Sequence, residues 1–94
     1  MENTERLLMR AKELCNRYGI GWAQFNSCNA YISEEIDDRY ILIKSYHTIV
    51  GIADTKTKEI CEIGKYSRTT SKQFTQICNQ RFRNYNRLYI DGRV

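Results

Sequence analysis

The chain has 94 residues, 41% of them hydrophobic and 28% charged, with a net charge of +4 and no proline. That length suits one domain, residues 1–94, with a single modest core, and excludes two. The composition excludes wholesale disorder and a low-complexity linker, and no apolar run approaches the length of a membrane span.

Residues 4–18 read as an amphipathic helix. Leu7, Leu8, Ala11, Leu14, Cys15 and Tyr18 recur at three- and four-residue spacings and so share one face. Asn3 or Thr4 suits its cap, Glu5 sits where the helix dipole favours a negative charge, and Gly19 supplies a left-handed stop. Gly19–Trp22 then reads as a tight reversal. Trp22 and Phe25 suit anchors to the core, although Tyr18, Trp22 and Phe25 would serve a dimer interface equally well, so monomer and homodimer both stay open.

The middle of the chain reads as strands. Asn29–Ser33 is a candidate, and Glu34–Asp38 reads as a polar turn, too charged for a central strand. Arg39–Tyr46 and Thr48–Ala53 are rich in β-branched and aromatic residues. Asp54–Lys58 reads as a hairpin loop, Glu59–Ile63 as the return strand, and Gly64 as its break. A second helix is expected after Thr70, where Thr70 and Gln73 match a capping box and Phe74, Ile77, Cys78 and Phe82 follow at helical spacing. Residues 85–94 suit either a last strand or a flexible tail. The expected architecture is α+β: an N-terminal helix, a small antiparallel sheet of three to four strands, and a C-terminal helix, with the helices packed on one face.

The charge is uneven. Residues 1–64 carry eight Lys/Arg against ten Asp/Glu, a net of −2, and residues 65–94 carry seven against one, a net of +6. A basic C-terminal third attracts phosphates or an acidic protein face, and is equally compatible with a solvated helix surface.

Two blocks carry a resemblance. Ser45-Tyr46-His47-Thr48-Ile49-Val50 and Tyr66-Ser67-Arg68-Thr69-Thr70-Ser71-Lys72-Gln73 resemble a group of small proteins encoded by bacteriophages and mobile elements. The pattern is a Ser-Tyr-x-Thr-x-Val strand, a hairpin, and Tyr-Ser-x-Thr-Thr leading into a helix, and it covers residues 40–82. The family is a domain of unknown function, so the resemblance implies a context and no mechanism. It often has a His where this chain has Gln73, and no role of that His transfers. The hydroxyls of the second block suit turns and caps. With Lys65, Arg68 and Lys72 beside a helix start they also suit an anion.

Catalysis finds little support. The single histidine, His47, falls in a predicted strand, and no motif pairs it with one of the four cysteines. The run Glu34–Asp38 lacks a calcium-loop pattern. Cys15, Cys28, Cys61 and Cys78 are enough for a tetrahedral zinc, but none forms a close pair, and Cys15 and Cys78 fall on apolar helix faces where a thiol behaves as a small hydrophobe. No cofactor is expected, with zinc on these four cysteines as the alternative.

The strongest functional signal is the basic, aromatic stretch Arg81–Tyr89, in which guanidinium groups alternate with rings. Arg pairs with phosphates and Tyr stacks on bases, and both are common at protein interfaces. The partner-binding candidates are Arg68, Lys72, Arg81, Arg83, Tyr85 and Arg87. The expectation is a non-enzymatic, phage-encoded accessory protein that binds a host protein such as a CRISPR effector nuclease, an anti-CRISPR role. The alternative is a small basic nucleic-acid-binding module. The N-terminus starts acidic and lacks the basic-then-apolar order of a secretory signal, so the expected place is the cytoplasm of a bacterial host cell.

Overall fold

The computed structural model describes residues 2–17, 19–25, 29–63 and 68–88, with the side chains of residues 2–4 and 68–71 outside that description. Two helices and six strands follow in the order α1 (Glu2–Leu14), β1 (Trp22–Gln24), β2 (Ala30–Ser33), β3 (Tyr40–Ser45), β4 (Thr48–Asp54), β5 (Glu59–Glu62), α2 (Arg68–Arg81) and β6 (Asn86–Leu88). The strands form one mixed sheet in sequence order. β1 to β5 are a meander of antiparallel hairpins, and β6 returns parallel to β5 after the α2 crossover. Among the described residues, no helix is long and apolar enough to cross a membrane.

The two helices cover opposite faces of the sheet, which corrects the expectation that they share one. On one face Leu7, Ala11 and Leu14 of α1 pack against Tyr40, Leu42, Ile52 and Cys61. On the other, Phe74, Ile77, Cys78 and Phe82 pack against Phe25, Ala30, Ile43, Val50, Ala53 and Ile60. The period of two explains the split. Ile52 and Ala53 are neighbours in β4, as are Ile60 and Cys61 in β5, and successive strand side chains point to opposite faces. These central strands are apolar on both sides, which is the pattern of a sheet buried between two layers. Gly51 belongs to the α2 face: a Cβ there would run into the Phe74 ring.

The sheet has six strands rather than three or four because its two edges are only three residues long. β1 grows from the segment expected to be a reversal, and its register pairs Trp22 with Ser33 and Gln24 with Tyr31. β6 lies at the start of the tail and pairs Arg87 with Ile60. Both helices start earlier than expected. α1 begins at Glu2 and ends at Leu14, leaving Cys15 beyond it and exposed, and Tyr18 falls outside the described residues. α2 begins at Arg68, so Thr70 lies inside the helix rather than at its cap, and Gln73 accepts a hydrogen bond from the Ser45 hydroxyl. Gly19 does adopt the left-handed conformation, at φ 79°.

The turns are specified by side chains. Asp37 and Asp38 both have φ 56°, and the Arg39 N–H donates to the Ile36 carbonyl. This is the I′ geometry that matches the twist of a hairpin, and Asp is among the residues that tolerate it. The β4–β5 loop is organised by Asp54, which is completely buried. Its carboxylate accepts two near-equal bonds from Arg39 Nε at 2.9 and 3.0 Å and one from Arg39 Nη2 at 2.9 Å. It also accepts from Arg6 of α1 at 3.3 Å and from the backbone N–H groups of Lys56 and Thr57. Burial alone would raise this carboxyl. The arginines and backbone donors outweigh burial and hold it at about 2.

Two predictions follow from this site. Replacing Asp54 by Ala should cost about 3 kcal/mol in urea unfolding, the lower end for a broken buried pair because both arginines keep some access to water. Because its unfolded value is about 3.9, Asp54 contributes stability that is fully present above about pH 4 and lost as pH falls toward about 2. Stability measured between about pH 5 and pH 2.5 should drop less steeply in Asp54→Asn than in the parent, and equal slopes would contradict the assignment.

Candidate functional site

The distribution of charge between the two faces singles out α2. On the α1 side, the arginines are matched with carboxylates. Arg10 meets Glu13 at 2.6 Å, Arg17 meets Asp37 at 2.8 Å, Arg39 meets Asp54 at 2.9 Å, and Arg6 reaches Asp54 and Glu59 at 3.3 and 3.9 Å. Arg17 in turn pulls the Asp37 carboxyl below its ordinary value through their hydrogen bond.

α2 is the opposite case. Its sequence, Arg-Thr-Thr-Ser-Lys-Gln-Phe-Thr-Gln-Ile-Cys-Asn-Gln-Arg, contains no Asp or Glu. The apolar residues Phe74, Ile77 and Cys78 are buried, so Lys72, Gln76 and Asn79, four and three residues apart, emerge on the far side and are exposed. Arg83 is exposed in the turn that follows the helix. Lys72, Arg81 and Arg83 have no carboxylate partner among the described residues. The result is a ridge of cations and amides with no carboxylate paired to it among the described residues.

The six residues expected to bind a partner are thereby sorted. Lys72 and Arg83 belong to the ridge. Arg68 lies in the first turn of α2 with its side chain outside the described residues. Arg81 ends the helix, with its guanidinium 5.9 Å from the centre of the Phe25 ring, and borders a shallow cleft of about 320 Å³ beside Trp22, Gln24, Ile32 and Glu34. Tyr85 is folded inward: its ring meets Phe82 edge-on at 5.0 Å, and the Lys58 ammonium lies 5.2 Å from its centre. Arg87 is largely enclosed. It donates to the Thr75 hydroxyl at 3.1 Å, approaches the buried Glu62 carboxylate at 3.8 Å, and lies over the Phe74 ring at 5.1 Å. Arg87 therefore ties β6 to β5 and α2, whatever else it touches.

The sheet stands between two of the thiols considered for zinc. Cys61 is buried on the α1 face and Cys78 on the α2 face, so the fold does not bring them together. Cys15 is exposed, its thiol donating to the Lys12 carbonyl, and Cys28 lies outside the described residues. Among the described residues, no three His, Cys, Asp or Glu side chains are grouped as metal ligands. Burial pushes the Cys78 thiol up to about 11, so it is neutral at physiological pH and a poor nucleophile. His47 lies in the two-residue turn joining β3 and β4, not in a strand, and is exposed next to Tyr46, whose φ is 57°. Tyr66 and Ser67 of the second resemblance block fall outside the described residues.

One cluster was not legible in the sequence. The Lys44 ammonium lies 4.2 Å from the centre of the Trp22 ring and 5.3 Å from that of Tyr31. These residues come from three strands and meet only because Tyr31 pairs with Lys44 and Trp22 with Ser33. The cluster secures the β1–β3 end of the α1 face through cation–π contacts of about 0.5–1 kcal/mol each.

No family model, curated protein or solved structure matches the chain.

The sorting of the arginines predicts a split between stability and surface chemistry. Arg87→Ala should lower unfolding stability by about 3 kcal/mol, since it removes the cation beside a buried carboxylate. Arg83→Ala should change it by less than about 0.5 kcal/mol. Equal effects in a denaturant titration would contradict the placement of the two side chains.

Proposed function

We propose that this chain is a binding protein that uses the outer ridge of α2 to engage an anionic macromolecular surface, and that it acts by contact rather than by catalysis. One observation carries the reading. The arginines of α1 and the adjoining turns are neutralised by carboxylates, whereas among the described residues Lys72, Arg81 and Arg83 around α2 are not. Uncompensated charge on an exposed helix raises the local concentration of an anionic partner and speeds its association.

The resemblance of residues 40–82 to phage and mobile-element proteins supports a host macromolecule as the target. Its most concrete form is an accessory protein that inhibits a bacterial defence nuclease, the anti-CRISPR role, acting in the cytoplasm of the host cell. Such an inhibitor would work through specific basic contacts to a protein surface or a nucleic-acid channel. It would not work by imitating DNA, because an imitation requires a broadly acidic face and this chain is net basic.

A tagged form of the chain should retain a defined partner from bacterial lysate at low salt. The triple variant Lys72→Glu/Arg81→Glu/Arg83→Glu should lose that partner while keeping the parent circular dichroism and melting temperature. Recovery of the same partner by the folded variant would overturn the assignment to α2.

A further inference from the structure

We infer that the anionic partner of this ridge is duplex DNA, with α2 lying in the major groove. The inference rests on the anion-binding reading above and specifies its partner.

The order of side chains along the ridge is the first argument. Lys72 and Arg83 stand at its two ends, and Gln76 and Asn79 lie between them, all four exposed. The helix rises about 13–14 Å from Lys72 to its end at Arg81, with Arg83 in the turn just beyond, which is comparable to a major groove about 12 Å wide. A helix crossing that groove meets phosphates at its two rims and base edges on its floor. Cations at the ends suit the rims. Amides in the middle suit the floor, because Gln and Asn offer a donor and an acceptor together and can pair with adenine through N6 and N7. An acidic protein face would use the same cations but gives the central amides no matching role.

Shape is the second argument. α2 is the one helix on its side of the sheet among the described residues, since α1 covers the other face. It therefore stands out as a single rod about 10–12 Å across with side chains, which matches the groove of B-form DNA. The major groove of double-stranded RNA is deep and too narrow for a helix, so the proposal is confined to DNA. Charge is the third argument: α2 brings no carboxylate toward the phosphates. At the flank, Arg81 is exposed and without a carboxylate partner, in place to reach the adjacent backbone.

The test is fluorescence anisotropy of the full chain with three labelled probes: a random-sequence DNA duplex of about 20 base pairs, an RNA duplex of the same sequence, and a polyglutamate peptide. DNA should bind best, and the logarithm of its affinity should fall linearly with the logarithm of salt at a slope of about −2 to −3, corresponding to two or three phosphate contacts. Lys72→Ala and Arg83→Ala should each reduce the steepness of that slope by about 1. Gln76→Ala/Asn79→Ala should leave the slope unchanged and erase the preference for adenine-containing sites in duplexes selected from a randomised pool. RNA binding as tight as DNA binding, or DNA binding unchanged in Lys72→Ala and Arg83→Ala, would overturn the inference. Polyglutamate binding that depends on Lys72 and Arg83, without DNA binding, would overturn the DNA assignment and leave the anion-binding reading standing. Binding to none of the three probes would overturn both.

Discussion

The buried carboxylate of Asp54 is the constraint on which the arrangement depends. It is fully enclosed, and its oxygens are shared by a guanidinium from α1, a guanidinium from the turn before β3, and two backbone N–H groups of the β4–β5 loop. A buried charge is tolerable only when its lone pairs are filled, and here filling them brings together three segments distant in sequence. The same carboxylate accounts for much of the charge on the α1 side. Arg6 and Arg39 are held there, and with Arg10 and Arg17 also paired, the arginines of that face are matched with carboxylates. The excess positive charge of the chain is left to its C-terminal third.

A parallel logic operates under α2, with a different outcome. Glu62 and Arg87 form a mostly enclosed pair that joins β5 to β6, and Thr75 connects the arginine to the helix. This removes Arg87 from the surface. It leaves Lys72, Arg81 and Arg83 among the exposed cations of that side. The electrostatic difference between the faces is thus a product of folding and not of composition alone, because a net charge of +4 says nothing about which cations are spent internally.

Much of the fold was legible in the sequence, and the parts that were not have identifiable causes. The β3–β4–β5 meander was readable because Tyr40–Ser45, Thr48–Asp54 and Glu59–Glu62 are apolar, β-branched and separated by clear turns. β1 and β6 were not, because a three-residue strand has too few alternations to reveal a period and is defined by its neighbour's hydrogen bonds. Placing both helices on one face failed for a similar reason. A sheet buried on both sides shows continuous apolar runs, and Ile-Ala in β4 or Ile-Cys in β5 does not declare which residue faces which helix. The basic C-terminal third was visible as composition. Its division into enclosed Arg87 and exposed Lys72 and Arg83 required the pairing with Glu62, which lies 25 residues away in sequence. The placement of Gln76 and Asn79 beside Lys72 on the exposed side of α2 was missed because amides carry no charge to draw notice, although their spacing from Lys72 was available.

The central claim is that anionic partners meet this molecule at α2 and not at the face where the arginines are already matched. Amide chemical shifts of the ¹⁵N-labelled chain, followed as the duplex DNA is titrated in, test it most directly. The account predicts that shifts concentrate at Lys72, Gln76, Asn79 and Arg83, with Arg10, Arg17 and Arg39 left in place. Shifts centred on α1 or on the Trp22–Lys44–Tyr31 cluster, with α2 unmoved, would contradict it.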